Sequence, residues 1–239
     1  MAGISVDYLT RLEQGRATSP SVQVVEALAR ALRLNDAERD LLFRLAGHVT
    51  PGLDLVSSRI TPSVQRLLDR LEHTPVAVFD ATWTLIIANA PYDALTGQTT
   101  SWRGMERNSI WRQLIGPGSR AVATADEHAE LQARLVADLR LTAARYPADS
   151  RLKRLISELA AQSPRFVELW EPGELQPHRD QGRRKVIDHP GVGHITLDCD
   201  TLIVASDDLR IMIYTAEPET EDAARLSLAI VLGTQSLIG

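Results

Sequence analysis

The chain lacks several features that mark secreted and membrane-spanning proteins. It has a single cysteine, Cys199, in 239 residues, so it cannot form an internal disulfide, and we expect a protein of the reducing cytoplasm. The longest apolar stretch, Leu226 to Leu232, contains Ser227 and is too short to cross a bilayer. Residues 1–11 lack the basic head and apolar core of a signal peptide. We therefore expect no membrane partner.

Positive charge is also scarce, and almost all of it is arginine. Lysine and arginine together number 26 against 31 acidic residues, a net charge of −5, and lysine occurs only at Lys153 and Lys185. This balance argues against a protein that coats nucleic acid nonspecifically. The hydrophobic content of 44% and charged content of 24% are typical of a globular chain that can bury its own core.

No motif indicates an enzyme or a metal centre. The sequence contains no nucleophile elbow, phosphate loop, dinucleotide fingerprint or His-Glu-x-x-His. His189 and His194 are five residues apart but have no nearby cysteine or cluster of carboxylates, so local hydrogen bonding by His189 is favoured over metal binding. Cys199 lies in a strand pattern, where a cysteine is usually a small buried hydrophobe. We predict no catalytic residue, no metal and no enzymatic activity.

The N-terminal part has the pattern of three short helices. Ser5 can cap the first helix and Gly15 can end it. Pro20 suits the first turn of the second helix, and Asn35 begins a sequence that resembles a capping box for the third. Three such helices bury little surface by themselves, so we expect this module to pack against something else.

The composition changes near residue 50. Residues 49–60 include Pro51 and Gly52 and show no sustained period, which is typical of a linker. We therefore predict three parts: a helical module at 1–48, the linker at 49–60 and a second domain at 61–239.

The second domain has the pattern of an α+β fold. Residues 76–89 predict a β-hairpin, residues 124–145 the longest helix, and residues 194–205 and 209–216 two further strands. Strands followed by helices and then strands again favour an antiparallel sheet with the helices gathered on one side. The predicted fold class is α+β.

Residues 3–16 carry a resemblance to a DNA-binding element. Their sequence, GISVDYLTRLEQGR, resembles the turn and recognition helix of Cro/repressor-type helix-turn-helix domains. The resemblance implies that five side chains lie toward DNA, with arginines available to phosphates or guanine edges and hydroxyls adding contacts. These are Ser5, Tyr8, Thr10, Arg11 and Arg16. The alternative is a solvated helix face.

The same resemblance predicts that part of the module is missing. In such domains two helices precede the recognition helix. The start of this chain resembles the end of the second of these helices. We therefore expect the chain to contain only the last three of the domain's five helices. Residues 1–48 hold six arginines and six acidic residues, which predicts a weak salt-dependent attraction to phosphates.

A second resemblance is carried by short motifs that occur in order between residues 61 and 217. They are TPVAVFD at 74–80, WTLIIAN at 83–89, Arg107-Asn108, Leu139-Arg140, YPAD at 146–149, SPRF at 163–166, Leu169-Trp170 and HPGVG at 189–193. Together they resemble the ligand-binding domain of MmyB-like transcription regulators. The resemblance implies a PAS-like domain with a pocket for a small apolar, fatty-acid-like molecule, joined to a helix-turn-helix domain. A bound fatty acid is the only cofactor-like group that we expect.

Five residues within or beside these motifs are candidates for ligand binding. They are Asn89, Arg107, Asn108, Trp170 and His189. Arg107 suits a carboxylate because guanidinium is always charged and binds in a bidentate manner. The alternatives are that Asn89 only caps the next helix, that Arg107 pairs with Glu106 or another acid, and that Trp170 belongs to the core.

Two functions are consistent with these resemblances. In the first, the chain is a one-component transcription regulator whose DNA binding responds to a small apolar effector. It then acts as a homodimer, since helix-turn-helix proteins usually bind two half-sites. In the second, it is a stand-alone module for small-molecule binding or dimerisation that has lost DNA binding.

Overall fold

The computed structural model describes residues 4–34, 36–48, 55–171, 183–204 and 207–235. Asn35, predicted to begin the third helix, lies outside these ranges. So do residues 49–54, which belong to the predicted linker. The chain divides into two compact units. One consists of Met1–Leu55 with Arg145–Ala148, and the other of Val56–Ala144 with Asp149–Gly239.

The first unit contains the three predicted helices. They are α1 (Val6–Glu13), α2 (Val22–Ala31) and α3 (Asp36–Leu45). The amphipathic pattern of α2 buries Val25, Ala27 and Ala29, and Phe43 of α3 is fully buried. Every residue of α1 is described and none of them is buried, so α1 contributes little to this unit's core.

The second unit is built on a six-stranded antiparallel sheet. Its strands lie in the order β2-β1-β6-β5-β4-β3, and each neighbouring pair is antiparallel. They are β1 (Val76–Phe79), β2 (Leu85–Ala88), β3 (Ala121–Val122), β4 (Arg183–His189), β5 (Gly193–Val204) and β6 (Leu209–Thr215). The predicted hairpin is therefore β1 and β2, at one edge of the sheet.

Seven α-helices of this unit are described. They are α4 (Pro62–Arg70), α5 (Ala90–Thr96), α6 (Ser109–Leu114), α7 (Ala125–Arg145), α8 (Ser150–Gln162), α9 (Pro164–Trp170) and α10 (Glu221–Gln235). Two short 3₁₀ helices, Thr99–Ser101 and Gly104–Arg107, connect α5 to α6. Within the described ranges, no helix has the length and apolar character needed to span a membrane.

The two faces of the sheet carry separate apolar clusters, because successive strand residues point to opposite sides. The larger cluster joins alternate strand residues such as Ala77 and Phe79 to α5 and α10. The smaller joins Val76 and Val78 to α4, through Val64 and other residues of that helix. The α+β class is confirmed. We find in addition that α4 covers the face opposite to α5 and α10.

A hydrogen bond fixes the beginning of the second unit. Asp149, which is buried, accepts from the backbone N–H of Val56 at 2.8 Å. Its other oxygen caps α8 by accepting from the N–H groups of Arg151 and Leu152. The carboxylate thus connects two segments 93 residues apart in sequence.

Candidate ligand-binding site

A cavity of about 210 Å³ lies in the second unit, lined by residues from the sheet and from α5, α6 and α7. The sheet contributes side chains on the face that carries the larger apolar cluster. The main contributors are Phe79 from β1, Lys185 and Ile187 from β4, Cys199 and Thr201 from β5, and Met212 and Tyr214 from β6. Leu131 and Leu135 of α7 add apolar surface.

Aromatic side chains are concentrated around this cavity. Among the described lining residues are Phe79, Trp83, Tyr92, Trp102 and Tyr214, although the whole chain has only four tryptophans, four tyrosines and three phenylalanines. The ring centroids of Phe79 and Trp83 are 5.8 Å apart, and those of Tyr92 and Tyr214 are 6.0 Å apart. Both distances are typical of tilted aromatic pairs. The cavity therefore offers ring surfaces as well as aliphatic ones.

The guanidinium of Arg112 is held from two sides at the cavity. It lies 3.9 Å from the ring centroid of Trp102, and its Nη2 donates to the carbonyl of Gly118 at 2.9 Å. Burial lowers the pKa of Arg112, although the nearby Tyr92 and Glu106 act in the opposite direction. A guanidinium has five N–H donors, so Arg112 retains donors beyond the one given to Gly118.

Arg120 and Lys185 add two further cations to the lining. Nη1 of Arg120 donates to the carbonyl of Leu95 at 3.2 Å. Nζ of Lys185 lies 5.5 Å from the ring centroid of Tyr214, within the range of a cation–π contact. Among described residues, neither cation forms an ion pair with a carboxylate, and the same is true of Arg112.

Two acidic residues also line the cavity, and one of them is already neutralised. Oδ2 of Asp138 accepts from Nε and Nη2 of Arg210 at 3.0 and 2.8 Å. The same oxygen accepts from the indole Nε1 of Trp83 at 2.6 Å. The other acid is Glu127, whose side chain accepts from Thr124.

Five of the described lining residues are basic. Arg184 is paired with Asp198 at 3.5 Å, but Arg112, Arg120 and Lys185 have no carboxylate partner among the described residues, so the lining favours an anion.

The two tyrosines of the cavity remain neutral. Burial raises the pKa of Tyr92 above its ordinary value. Burial also raises the pKa of Tyr214 well above its ordinary value, with a further contribution from Cys199. At neutral pH both hydroxyls are thus uncharged and can either donate or accept a hydrogen bond.

Asn89, a predicted ligand contact, caps a helix. Its Oδ1 accepts from the N–H of Tyr92 at 3.0 Å and from that of Val76 at 2.9 Å. Its Nδ2 donates to the carbonyls of Leu71 and Thr74. These contacts correspond to the alternative given above for Asn89, in which it caps the next helix.

Arg107 and Asn108 lie together at the edge of the sheet. Nε and Nη2 of Arg107 donate to the carbonyl of Leu85 at 3.0 and 2.9 Å, and Nη2 also donates to that of Ile86 at 3.0 Å. Asn108 is 1% exposed, caps α6 through Oδ1, and donates from Nδ2 to the carbonyl of Thr82 at 2.8 Å. The Arg107 guanidinium thus satisfies carbonyls on an edge strand, in place of the pairing with Glu106 that the sequence left open.

Trp170 and His189 contact other partners. Trp170 stacks on Phe166 within α9, with ring centroids 5.2 Å apart. Nδ1 of His189 accepts from the N–H of Gly191 at 3.1 Å, which assigns the proton to Nε2, and Nε2 lies 3.0 Å from the carbonyl of Ala94. None of the five predicted ligand contacts is among the described residues that line the cavity. Their role in ligand binding stays a prediction.

The sequence contains one signal for the cavity that lies outside the motifs of the family resemblance. Lys185 is one of only two lysines, and it occupies a half-buried position of β4 in an otherwise arginine-rich chain. Arg112 lies in the six-residue helix α6, and Trp102 directly follows a three-residue 3₁₀ helix. Both elements are too short to show a hydrophobic period, so no spacing could have brought the two residues together.

The five predicted DNA contacts lie on α1 and at its two ends. Oγ of Ser5 accepts from the N–H of Tyr8 at 3.2 Å, and Oγ1 of Thr10 donates to the carbonyl of Val6 at 3.0 Å. Tyr8 is half-buried, whereas Arg11 and Arg16 are exposed. The two arginines are therefore accessible to a polyanion, while the hydroxyls of Ser5 and Thr10 already have partners within the helix.

Comparison with family models assigns two domains to the chain. The model of the MmyB-like transcription regulator ligand binding domain matches residues 60–229, a range that contains every described residue of the cavity lining. The model of a helix-turn-helix domain matches residues 1–42, which include α1 and α2. A search of curated proteins finds none that matches the chain.

Proposed function

The chain belongs to the MmyB-like transcription regulators, and we propose that its helix-turn-helix domain binds DNA in a manner controlled by a small ligand held in the cavity. The observation that supports this most directly is the cavity itself. It lies wholly within the matched ligand-binding domain and combines aromatic walls with an excess of cations. Ligand sites typically combine an apolar lining with a few polar groups that fix orientation.

We propose an effector with an apolar body and one carboxylate, a class that includes the fatty-acid-like molecule implied by the family resemblance. Leu131, Leu135 and Ile187 supply apolar contacts, and Arg112 supplies donors for a carboxylate. No covalent or catalytic step is part of this proposal. The protein would act in the cytoplasm, where both DNA and small carboxylic acids are present.

The segment between α5 and α6 is the element that we expect a ligand to influence first. Trp102 belongs to this segment, lines the cavity and stacks against Arg112. An acid that binds Arg112 in this arrangement would therefore also favour the position that Trp102 has here. A ligand shifts an equilibrium only when it binds one state better than another, and this coupled pair of side chains provides such a difference.

A two-part experiment tests the proposed function. The purified protein is first denatured and extracted with organic solvent, and the extract is analysed by mass spectrometry. DNA sites are then selected from a random-sequence library, and their affinity is measured by fluorescence anisotropy with and without the extracted acid or tetradecanoate. We expect a carboxylic acid near one equivalent and a change in DNA affinity of at least five-fold. A DNA affinity that no small acid alters would refute the control of DNA binding by a ligand.

The charge balance of residues 1–48 favours a second candidate function. Their six arginines are matched by six acidic residues, so counterion release gives little nonspecific affinity for DNA. In this alternative the chain binds the small molecule and associates with other chains without binding DNA. An empty library selection at low salt, together with a ligand in the extract, would favour it.

We also propose that the protein is a homodimer, because two half-sites are the usual target of helix-turn-helix proteins. Light scattering coupled to gel filtration measures the mass in solution. A mass of about 26 kDa, that of one chain, at micromolar concentration would contradict the dimer.

A further inference from the structure

We propose that the cavity is selective for a compact aromatic acid, one ring with a short carboxylate arm, over a long alkyl chain. This rests on the proposed function, since it names the ligand class of the same site. Three independent properties of the lining support it: its volume, its rings and its cations.

The volume suits a small ligand. The cavity measures about 210 Å³, whereas sites for drug-sized molecules measure about 300–1,000 Å³. An apolar protein cavity of about 150 Å³ binds benzene. The space is therefore sufficient for one ring and a carboxylate on a short arm, whereas a long alkyl chain would have to extend out of it.

The rings favour an aromatic ligand. Phe79 is almost fully buried, and the half-buried Trp83 and Trp102 also border the space. Aromatic pairs gain energy beyond the area that they bury, and an alkyl chain lacks this gain. A planar ligand is thus favoured over a flexible chain, which also loses more conformational freedom on binding.

The cations define where the carboxylate lies. Arg112 is held in place from one side by Trp102 and from another by the carbonyl of Gly118. Its orientation is thus fixed before a ligand arrives, which reduces the cost of binding. Lys185, next to Tyr214, adds a second positive charge to the lining. The neutralised Asp138 does not oppose an incoming anion, because Arg210 already binds it.

Binding of four probes tests the proposed ligand class. The probes are phenylacetate, its uncharged analogue 2-phenylethanol, hexanoate and tetradecanoate, each titrated into the full chain by calorimetry and by tryptophan fluorescence. We expect phenylacetate to bind one per chain, with a Kd at least ten-fold lower than those of 2-phenylethanol and hexanoate. We also expect tetradecanoate to bind more weakly than phenylacetate.

Two variants locate the carboxylate. Arg112→Gln and Lys185→Met are each expected to raise the Kd for phenylacetate, by at least ten-fold and three-fold respectively. Lys185→Met serves as the second probe of the cation set in case Arg112→Gln does not fold. Arg165→Gln is the matched control, since Arg165 is exposed on α9 and pairs with Glu168. It should leave the Kd unchanged.

The outcomes separate this inference from the proposed function. Equal affinity for phenylacetate and 2-phenylethanol would overturn the carboxylate site. Tighter binding of tetradecanoate that also alters DNA affinity would overturn the aromatic class and leave the proposed function intact. Failure of all four probes to bind would overturn the inference, and an extract without any acid would then refute the proposed function as well.

Discussion

Arg210 of β6 holds Asp138 of α7 through two donors directed at a single oxygen, at 3.0 and 2.8 Å. Arg210 has a side chain only 6% exposed, and the indole of Trp83 donates to the same carboxylate oxygen. The pair therefore ties the longest helix to the sheet at the border of the cavity.

We predict that Asp138→Asn lowers the free energy of unfolding by about 2 kcal/mol, because it leaves the buried guanidinium of Arg210 without its principal counter-charge. Urea unfolding at neutral pH measures the loss. The control is Asp198→Asn, which removes an exposed pair with Arg184 and should cost less than about 1 kcal/mol. Similar losses in the two variants would show that burial of the pair has no special effect.

The pH dependence of stability should include a contribution from Asp149. Burial raises the pKa of its carboxyl, but hydrogen bonds from the N–H groups of Leu152, Val56 and Arg151 outweigh burial, so the pKa lies below the ordinary value of 3.8. A carboxyl whose pKa is depressed on folding adds stability above its unfolded pKa and loses it as the pH falls through its folded pKa. The contribution of the Asp149 carboxylate to the free energy of unfolding is therefore fully present at neutral pH.

We predict that Asp149→Asn costs about 1–2 kcal/mol at pH 7, the range expected for a helix cap with one further backbone partner. The gap between the wild type and this variant should narrow as the pH is lowered from about 4, because the carboxyl of the wild type becomes protonated. Urea unfolding at a series of pH values follows this gap. If the difference in free energy of unfolding stays constant down to a pH of about 2, the pKa of Asp149 is not the source of the pH dependence.

A substitution of Arg107 distinguishes its two possible roles, which are binding the carboxylate of a ligand and stabilising the fold. Its donors satisfy the carbonyls of Leu85 and Ile86, so Arg107→Ala should lower the free energy of unfolding by about 1–3 kcal/mol. The Kd for a small acid should change less than two-fold at a temperature where the variant is folded. If affinity is instead lost while stability is unchanged, Arg107 binds the carboxylate as the family resemblance implied.

Binding of DNA should depend on the exposed arginines of the first unit. We predict that Arg11→Gln weakens the affinity for selected DNA and reduces the slope of log affinity against log salt by about 1, as expected for the loss of one phosphate contact. Arg30→Gln, at an exposed position of α2, is the control. An unchanged salt slope for Arg11→Gln would place the DNA surface elsewhere.

Much of the fold was predictable because the sequence patterns are local. Residues 76–89 form the expected hairpin of β1 and β2, and the helix expected at 124–145 begins one residue later, at Ala125. The strand β4 was not predicted. It begins with Arg183, Arg184 and Lys185, a polar run that is more typical of a loop, and its pairing with β5 depends on residues distant in sequence.

The cavity was less predictable than the fold, for a related reason. Asn89, Asn108 and His189 are polar residues within motifs, and all three make local hydrogen bonds that shape turns and helix ends. The lining depends instead on strand register. Cys199 lies opposite Tyr214 in the pairing of β5 with β6, and only this alignment brings both to the same cavity.

Because lysine is rare in this chain, Lys185 can serve as a chemical probe of the cavity. Lys185, which lies against Tyr214, shares the chain with just one other lysine, Lys153 on the exposed surface of α8. An amine-reactive acylating reagent therefore has two side-chain targets, one inside the site and one outside it. The ratio of their labelling yields, measured by peptide mass spectrometry, reports how fully the site is occupied without any engineered probe.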